Sequence, residues 1–402
     1  MKKLMYLTVT APCGRQEAFL IAEVNCLLEK GVDLTIVPVH PSGPVFHRDG
    51  VDLLARTVVA GLWSGEVWLA ALLWFFKAPR RVLSLLFLLL KGGSPVNKAK
   101  NLLVFPKSLF IAGKVKSLGI DHIHAHWAST PSTCALVASA LTGVPWSFTA
   151  HRWDIMVNNL LAEKVGRCSF VRVVSTWGLR QVSRIAGSEA AKKVLYCPMG
   201  VKRPGKIPEV SCTLRREFFI AAVGNLTPLK GHRYLLQACR LLADWGVKFR
   251  CLIIGDGPER KNLAELAASL GLNNTAWLTG AMPHHRVLRM FRTGAFRVLV
   301  HPSVETPDGQ HEGVPVAVME AMAHGVPVVV TDTGSTTDLV DGRCGLVVPQ
   351  KDPVALATAV KALLDDPGRA RSLAAAGCRK IDGLFSLDRN VNILLTRMGI
   401  TP

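Results

Sequence analysis

Along almost the whole chain, short apolar runs alternate with stretches of helical periodicity. Residues 4–10 predict a buried strand, Glu17–Lys30 a helix and residues 32–37 a second strand. Further strands are expected at 122–126, 145–150, 171–175 and 194–197. A second series follows at 218–223, 248–254, 275–278, 297–301, 326–331 and 345–348. Runs that are apolar throughout, separated by helices, predict parallel sheets covered on both faces. The rhythm breaks at 198–214, where Pro198, Pro204, Pro208, Gly200 and Gly205 read as a linker. The expected organisation is α/β: two doubly wound, Rossmann-like domains facing across a cleft. The first spans 1–197 and the second 215–375, with a helical tail at 376–402 that can return to the first. Ligands in such sheets bind beyond the carboxyl ends of the strands.

One region departs from this pattern. Residues 67–120 hold nine Lys/Arg and no Asp or Glu. Two apolar blocks, 67–76 and 82–90, flank Lys77, Arg80 and Arg81. Each block falls short of the ~20 residues that span a bilayer, and Pro79 breaks the pair. With Trp63, Trp68, Trp74, Phe75 and Phe76, the region near 60–100 reads as a basic, apolar hairpin suited to an anionic membrane surface. Two core helices with a solvated cationic face would show the same pattern.

The bulk composition agrees without deciding. The 402 residues carry a formal charge of +19, and mean hydropathy is +0.28. A basic chain favours anionic partners, whether lipid, phosphorylated substrate or nucleic acid. Nucleic acid is disfavoured, because the cations cluster beside apolar hairpins and no recognition module is present. The ten cysteines show no C-x-x-C pair, so reduced thiols in a cytoplasmic setting are expected. The apolar start, residues 4–10, is too short and too threonine-broken for a signal peptide.

The chemistry concentrates at 312–330, EGVPVAVMEAMAHGVPVVV. Pro315 suits a first helical turn, whose free N–H groups favour an anion. Glu312 and Glu320 stand on either side of that turn. Gly325 and Pro327 end the helix and lead into an apolar strand. Diphosphate on the amides and hydroxyls on the carboxylates is the pattern a nucleotide-sugar needs.

This segment resembles the E-x7-E signature of family-4 retaining glycosyltransferases of GT-B fold, in particular those of polysaccharide assembly. The resemblance extends to VGNLTPLKG at 223–231, IGDGPE at 254–259, VHPS at 300–303 and GLVV at 345–348. In the first half, DHIHAHW at 121–127 and TAHRWDI at 149–155 are similar to acceptor-side strand ends. It implies that Glu320 takes the ribose hydroxyls and that Glu312 sits beside the donor sugar and leaving phosphate. Gly224 and Asn225 belong to the phosphate loop. Gly313, Val314, Pro315 and Val316 contact the diphosphate or sugar. Lys230 neutralises the leaving diphosphate, and His151 lies near the transferred sugar. Arg15, Glu17, His126 and Arg152 fall on the acceptor side.

Two positions depart from the family. Asn225 replaces an arginine, losing a charge and a bidentate fork; either Arg233 or another cation compensates, or the donor grip is weaker. Arg152 replaces a small residue and could hold an anionic acceptor such as a lipid phosphate, or point to solvent. His122, His124 and His126 alternate on one strand face, but no carboxylate or cysteine completes a zinc set. His284 and His285 read as a loop near the donor base.

The expected function is metal- and cofactor-independent transfer of a sugar from a nucleoside diphosphate donor, with retention. The acceptor would be a glycan or lipid-linked molecule, on a protein peripheral to the inner face of the cell membrane. A nucleotide-sugar epimerase or an inactive membrane-bound scaffold are the alternatives.

Overall fold

The structure, a computed structural model, describes residues 2–10, 17, 20–41, 48–205 and 218–400. It divides into two units, Met1–Pro198 with Leu387–Pro402, and Met199–Ser386. The stretch read as a linker passes outside the described residues at 206, and Arg15 also lies outside them.

The first unit is built on β1 (Lys3–Thr8), β2 (Asp33–Pro38), β3 (His122–His126), β4 (Trp146–Ala150), β5 (Phe170–Val173) and β6 (Val194–Tyr196). They form one sheet in the order β2-β1-β3-β4-β5-β6, and every neighbouring pair is parallel. The apolar run at 4–10 leaves the sheet two residues early. Thr10 gives its N–H and hydroxyl to the Glu17 carboxylate, which turns the chain away before helix α1 (Leu20–Glu29) begins. The helix Leu387–Arg397 packs against α1, shares its apolar cluster and pairs Asp388 with Lys30.

The basic region forms helices α2 (Gly65–Lys77), α3 (Pro79–Leu89) and α4 (Pro95–Leu118). Pro79 opens α3, where its missing N–H costs no hydrogen bond. One face of the pair is core: Val67, Trp74, Val82, Leu85, Leu88 and Leu89 are buried with α4. The other face is open, with Phe76 76% and Phe87 66% exposed, and Trp63 in the turn before α2 is 74% exposed. No helix among the described residues is long and apolar enough to cross a membrane.

The second unit contains β7 (Phe218–Val223), β8 (Phe249–Ile254), β9 (Ala276–Gly280), β10 (Val298–His301), β11 (Val328–Thr331) and β12 (Leu346–Val348). The order is β12-β11-β10-β7-β8-β9, again parallel throughout. Val298, Val300, Val329 and Val330 at its centre are fully buried, each worth roughly 1.5–3 kcal/mol over exposure. Both units are Rossmann-like, and the fold is GT-B. In the second sheet the order of strands reverses between β7 and β10. Loops leaving those two strands therefore diverge and leave a crevice at their carboxyl ends.

Candidate active site

Lys230 and Glu312 leave the second sheet on opposite sides of that reversal. Lys230 ends a short turn, Pro228–Lys230, after β7. Glu312 lies in the long loop after β10. The Lys230 ammonium donates to Glu312 Oε2 at 2.7 Å. Ser303 Oγ donates to the same oxygen at 3.3 Å, and His301 Nε2 lies 3.4 Å from it. Burial alone would raise the Glu312 pKa. The Lys230 charge and the His301 hydrogen bond overcome it and hold the carboxyl well below its ordinary range. His301 is pushed down, chiefly by burial, and its bond to Glu312 only partly offsets this.

Close backbone approach fixes the loop that carries Lys230. Leu226 N–H donates to Asp256 O, and Val304 N–H to Leu229 O. A Cβ on Gly255 would stand 1.9 Å from Gly224 O, and one on Gly257 2.5 Å from Leu226 O. A Cβ on Gly231 would meet Pro302 O at 2.0 Å, and its φ of 62° also suits glycine. The turn at 255–258, a weak motif by itself, is thus a brace for residues 224–226. Gly334 plays the same part beneath Glu312, whose carbonyl would lie 2.0 Å from an added Cβ and accepts from Ser335 N–H. Gly224 lies against the Lys230 stem, while Asn225 and Arg233 are exposed.

The helix expected after Glu312 runs Val316–Ala323, with Pro315 as its N-cap in extended conformation. The helix thus starts one residue later than Pro315 suggested. Gly313 has open space around its Cα. Glu320 is mostly buried and lies 2.6 Å from His284 Nε2. His284 and His285 are not in a loop: they open an amphipathic helix, His284–Arg292, capped by Pro283. Sequence reasoning missed this pairing, since nothing local ties His284 to a residue 36 positions away.

In the first unit, His126 and His151 come together, with their Nε2 atoms 2.8 Å apart. His151 caps the short helix Arg152–Val157, and its side chain accepts from the Asp154 N–H. The Trp127 ring lies 4.4 Å from His151 between centroids. The same indole donates to Glu17 Oε1 at 2.7 Å. Glu17 is 2% exposed and braces the loop after β1 through Val9, Thr10 and Trp127. Arg152 stacks over Trp177 at 5.9 Å. Burial lowers His151 to about 3, with Arg172 adding to it. Burial also raises Asp154 to about 7, against its backbone hydrogen bonds and Lys164. Among the described residues no cluster of His, Cys, Asp or Glu has a metal-binding arrangement.

Two parallel Rossmann-like sheets, the second with a lysine–carboxylate pair at its switch point, give the chain the GT-B fold. Residues 209–380 match the family model for glycosyl transferases group 1. The chain is 30% identical over 405 aligned residues to the amylovoran biosynthesis glycosyltransferase AmsK of Erwinia amylovora, covering 96% of each chain. It is 40% identical over 173 residues to WcaL, a putative colanic acid biosynthesis glycosyltransferase of Escherichia coli (strain K12). That match spans 41% of WcaL, about two fifths of its length. The Anabaena Alr3699/HepE structure, solved with UDP, superposes with a TM-score of 0.71 at 16% identity, covering 99% of this chain and 100% of that one. The chain belongs to the group 1 glycosyl transferases.

Proposed function

We propose that this protein transfers a sugar from a nucleoside diphosphate donor to a growing polysaccharide or its lipid-linked precursor. The observation that carries the reading is the Lys230–Glu312 pair at 2.7 Å, beside a helix that bears Glu320. AmsK and WcaL serve polysaccharide biosynthesis by name, and HepE was solved with UDP, which supports the reading.

In this proposal Glu320 holds the ribose and gives up His284 to do so. Lys230 and the amides around Gly313–Val316 hold the diphosphate. As the bond from the anomeric carbon to the diphosphate oxygen breaks, negative charge grows on the leaving group. Lys230 then stabilises it more than it does the ground state. The leaving phosphate oxygen takes the proton of the acceptor hydroxyl, and the new glycosidic bond forms on the same face, giving retention. Lys230 and a helix terminus supply the charge that a divalent cation supplies elsewhere, so the reaction is metal-independent. Gly224 and Asn225 line the phosphate loop, His151 serves the transferred sugar with the buried His126 behind it, and Arg152 belongs to the acceptor side.

The open face of α2 and α3 docks the protein on the cytoplasmic membrane surface. Its aromatic rings enter the acyl boundary, and Lys77, Arg80 and Arg81, all exposed at the α2–α3 turn, meet anionic headgroups. The test is a panel of nucleotide-sugars offered with and without lipid-linked and oligosaccharide acceptors, in the presence and absence of a chelator. Acceptor-dependent transfer with retained anomeric configuration is expected. Conversion of the free donor without acceptor would instead mark an epimerase.

A further inference from the structure

One face of the first sheet is polar where a Rossmann sheet is ordinarily apolar. Tyr6 on β1, His122, His124 and His126 on β3, Ser147 and Thr149 on β4 and Arg172 on β5 are all within 2% of complete burial. Part of this face closes on itself. Ser147 Oγ lies 2.8 Å from both His122 Nε2 and His124 Nδ1, and Thr149 Oγ1 lies 3.0 Å from His124 Nε2. The other part forms a line that ends at His151.

The protons along that line are fixed by counting donors. It starts at Glu23 on α1, whose Oε2 accepts from Arg172 Nη1 at 2.6 Å. Arg172 also gives Nε–H to the carbonyl of Cys197 and Nη2–H to that of Pro198, and the Glu23 carboxylate, as its ion-pair partner, is an acceptor. Tyr6 Oη, 2.8 Å from Glu23 Oε1, therefore spends its one proton there. At its second contact, 2.8 Å from His126 Nδ1, the phenol must accept, and Nδ1 carries the hydrogen. A neutral His126 then has a bare Nε2, and His151 Nε2–H donates to it across 2.8 Å. The remaining nitrogen of His151 is left as an acceptor, which is what the Asp154 N–H requires of that ring. Both ends of the line demand the same arrangement. A charged His126 would turn every proton at the His151 end the wrong way.

Burial favours neutrality along the line. It holds His126 well below its ordinary range, helped by His151, Arg172 and His124, and lowers His151 to about 3. Among the described residues, the charged and titratable groups around the two rings include Arg172, Glu23, Tyr6, His124, Asp154 and, through Trp127, Glu17.

We propose that Glu23, Tyr6 and His126 are positioning residues for the transfer reaction: they lock His151 as the neutral Nε2–H tautomer, its ring held beside Trp127, so that it shapes the site and does not act as a base. The inference rests on the reading in which His151 serves the transferred sugar. It gives that residue a definite state and leaves the acceptor proton to the leaving phosphate.

The test uses Tyr6→Phe in the full chain, which removes one oxygen and keeps the ring. Two-bond 1H–15N correlation spectra of histidine-labelled wild type should show His126 protonated at Nδ1 and His151 at Nε2, both neutral at pH 7. In Tyr6→Phe the His126 Nδ1–H loses its acceptor and only the Asp154 end of the line remains, so the pattern at His126 should change. With the donor found by the nucleotide-sugar panel, kcat should fall about 10- to 100-fold at unchanged donor KM. His126→Gln, whose amide oxygen can still accept from His151, should keep more activity than His126→Leu. Should folding blur these comparisons, the wild-type spectrum alone decides the tautomers. A wild-type His151 protonated at Nδ1, or charged at pH 7, would overturn the inference. So would a Tyr6→Phe variant with altered tautomers and wild-type kcat. A wild-type protein that turns over no nucleotide-sugar would end the functional reading, and this role with it, whatever tautomers are seen.

Discussion

Replacing Lys230 with alanine separates the two roles that this residue can have. Its side chain is 19% exposed and that of Glu312 13%, so the pair is largely removed from water. Without the ammonium, Glu312 Oε2 keeps only Ser303 at 3.3 Å and His301 at 3.4 Å, both long for bonds to a charged oxygen. Removing one partner of a fully buried pair costs roughly 3–5 kcal/mol. The residual contacts and partial exposure reduce this to about 2–3 kcal/mol. In a unit of this size that lowers Tm by roughly 5–10 °C, out of a total stability of ~5–15 kcal/mol. The variant should therefore remain folded at 25 °C. Glu312→Gln in the same chain removes the stranded charge and should restore most of the loss. Activity should behave differently. An electrostatic group that acts on the leaving charge is worth ~10²–10³ in kcat, and the double variant recovers none of it. Differential scanning calorimetry with steady-state transfer assays reads both quantities. If Lys230→Ala loses stability as described but keeps kcat within about threefold of wild type, Lys230 is a structural ion-pair partner and the mechanism is wrong.

Other variants probe the rest of the account. Glu320→Ala should weaken nucleoside diphosphate binding by ~1.5–3 kcal/mol in titration calorimetry, with little change in Tm. Gly231→Ala should be severely destabilising, because the new Cβ would lie 2.0 Å from Pro302 O at a φ of 62°; thermal melts should show a loss of at least ~2 kcal/mol. Stability should rise with pH from about 4 to 6.5, because the histidines that burial lowers, His122 to about 4, His151 to about 3 and His124 and His126 further, outweigh Asp154, which burial raises to about 7 and which acts with the opposite sign. The unfolded chain binds protons there that the folded one refuses, and His122 alone accounts for on the order of 3 kcal/mol at pH 4. Denaturant titrations from pH 4 to 7 check this sign. Phe76→Glu with Phe87→Glu should abolish sedimentation with anionic vesicles while leaving turnover of a soluble acceptor intact.

Much of the fold is legible in the sequence because parallel strands buried on both faces must be apolar throughout. The runs at 298–301 and 328–331 could be nothing else in a chain of this rhythm. The strand ends are less visible: β1 stops at Thr8 because Glu17 captures Thr10, a contact that no window along the chain reveals. The same limit applies to the site. Lys230 and Glu312 stand out as motif residues, yet their pairing across 82 positions is a property of adjacent strands. His284 looks like loop polarity until its helix brings it to Glu320. The alternating histidines at 122–126 suggest a metal set that nothing in the sequence completes, since a polar strand face inside a sheet runs against the usual pattern. Tyr6, Ser147 and Thr149 satisfy them from two other strands, and only the tertiary structure assembles that set.

The central claim is that the second unit binds a nucleotide-sugar through Lys230 and Glu320. The most direct measurement is the melting temperature of the wild type and of Glu320→Ala across a panel of nucleoside diphosphates and their sugars. A ligand at 100 times its Kd adds about 2.7 kcal/mol of stability. The account predicts a saturable rise in Tm with one nucleoside diphosphate class, largely lost in Glu320→Ala. No stabilisation by any member of the panel, or an equal rise in both proteins, would contradict it.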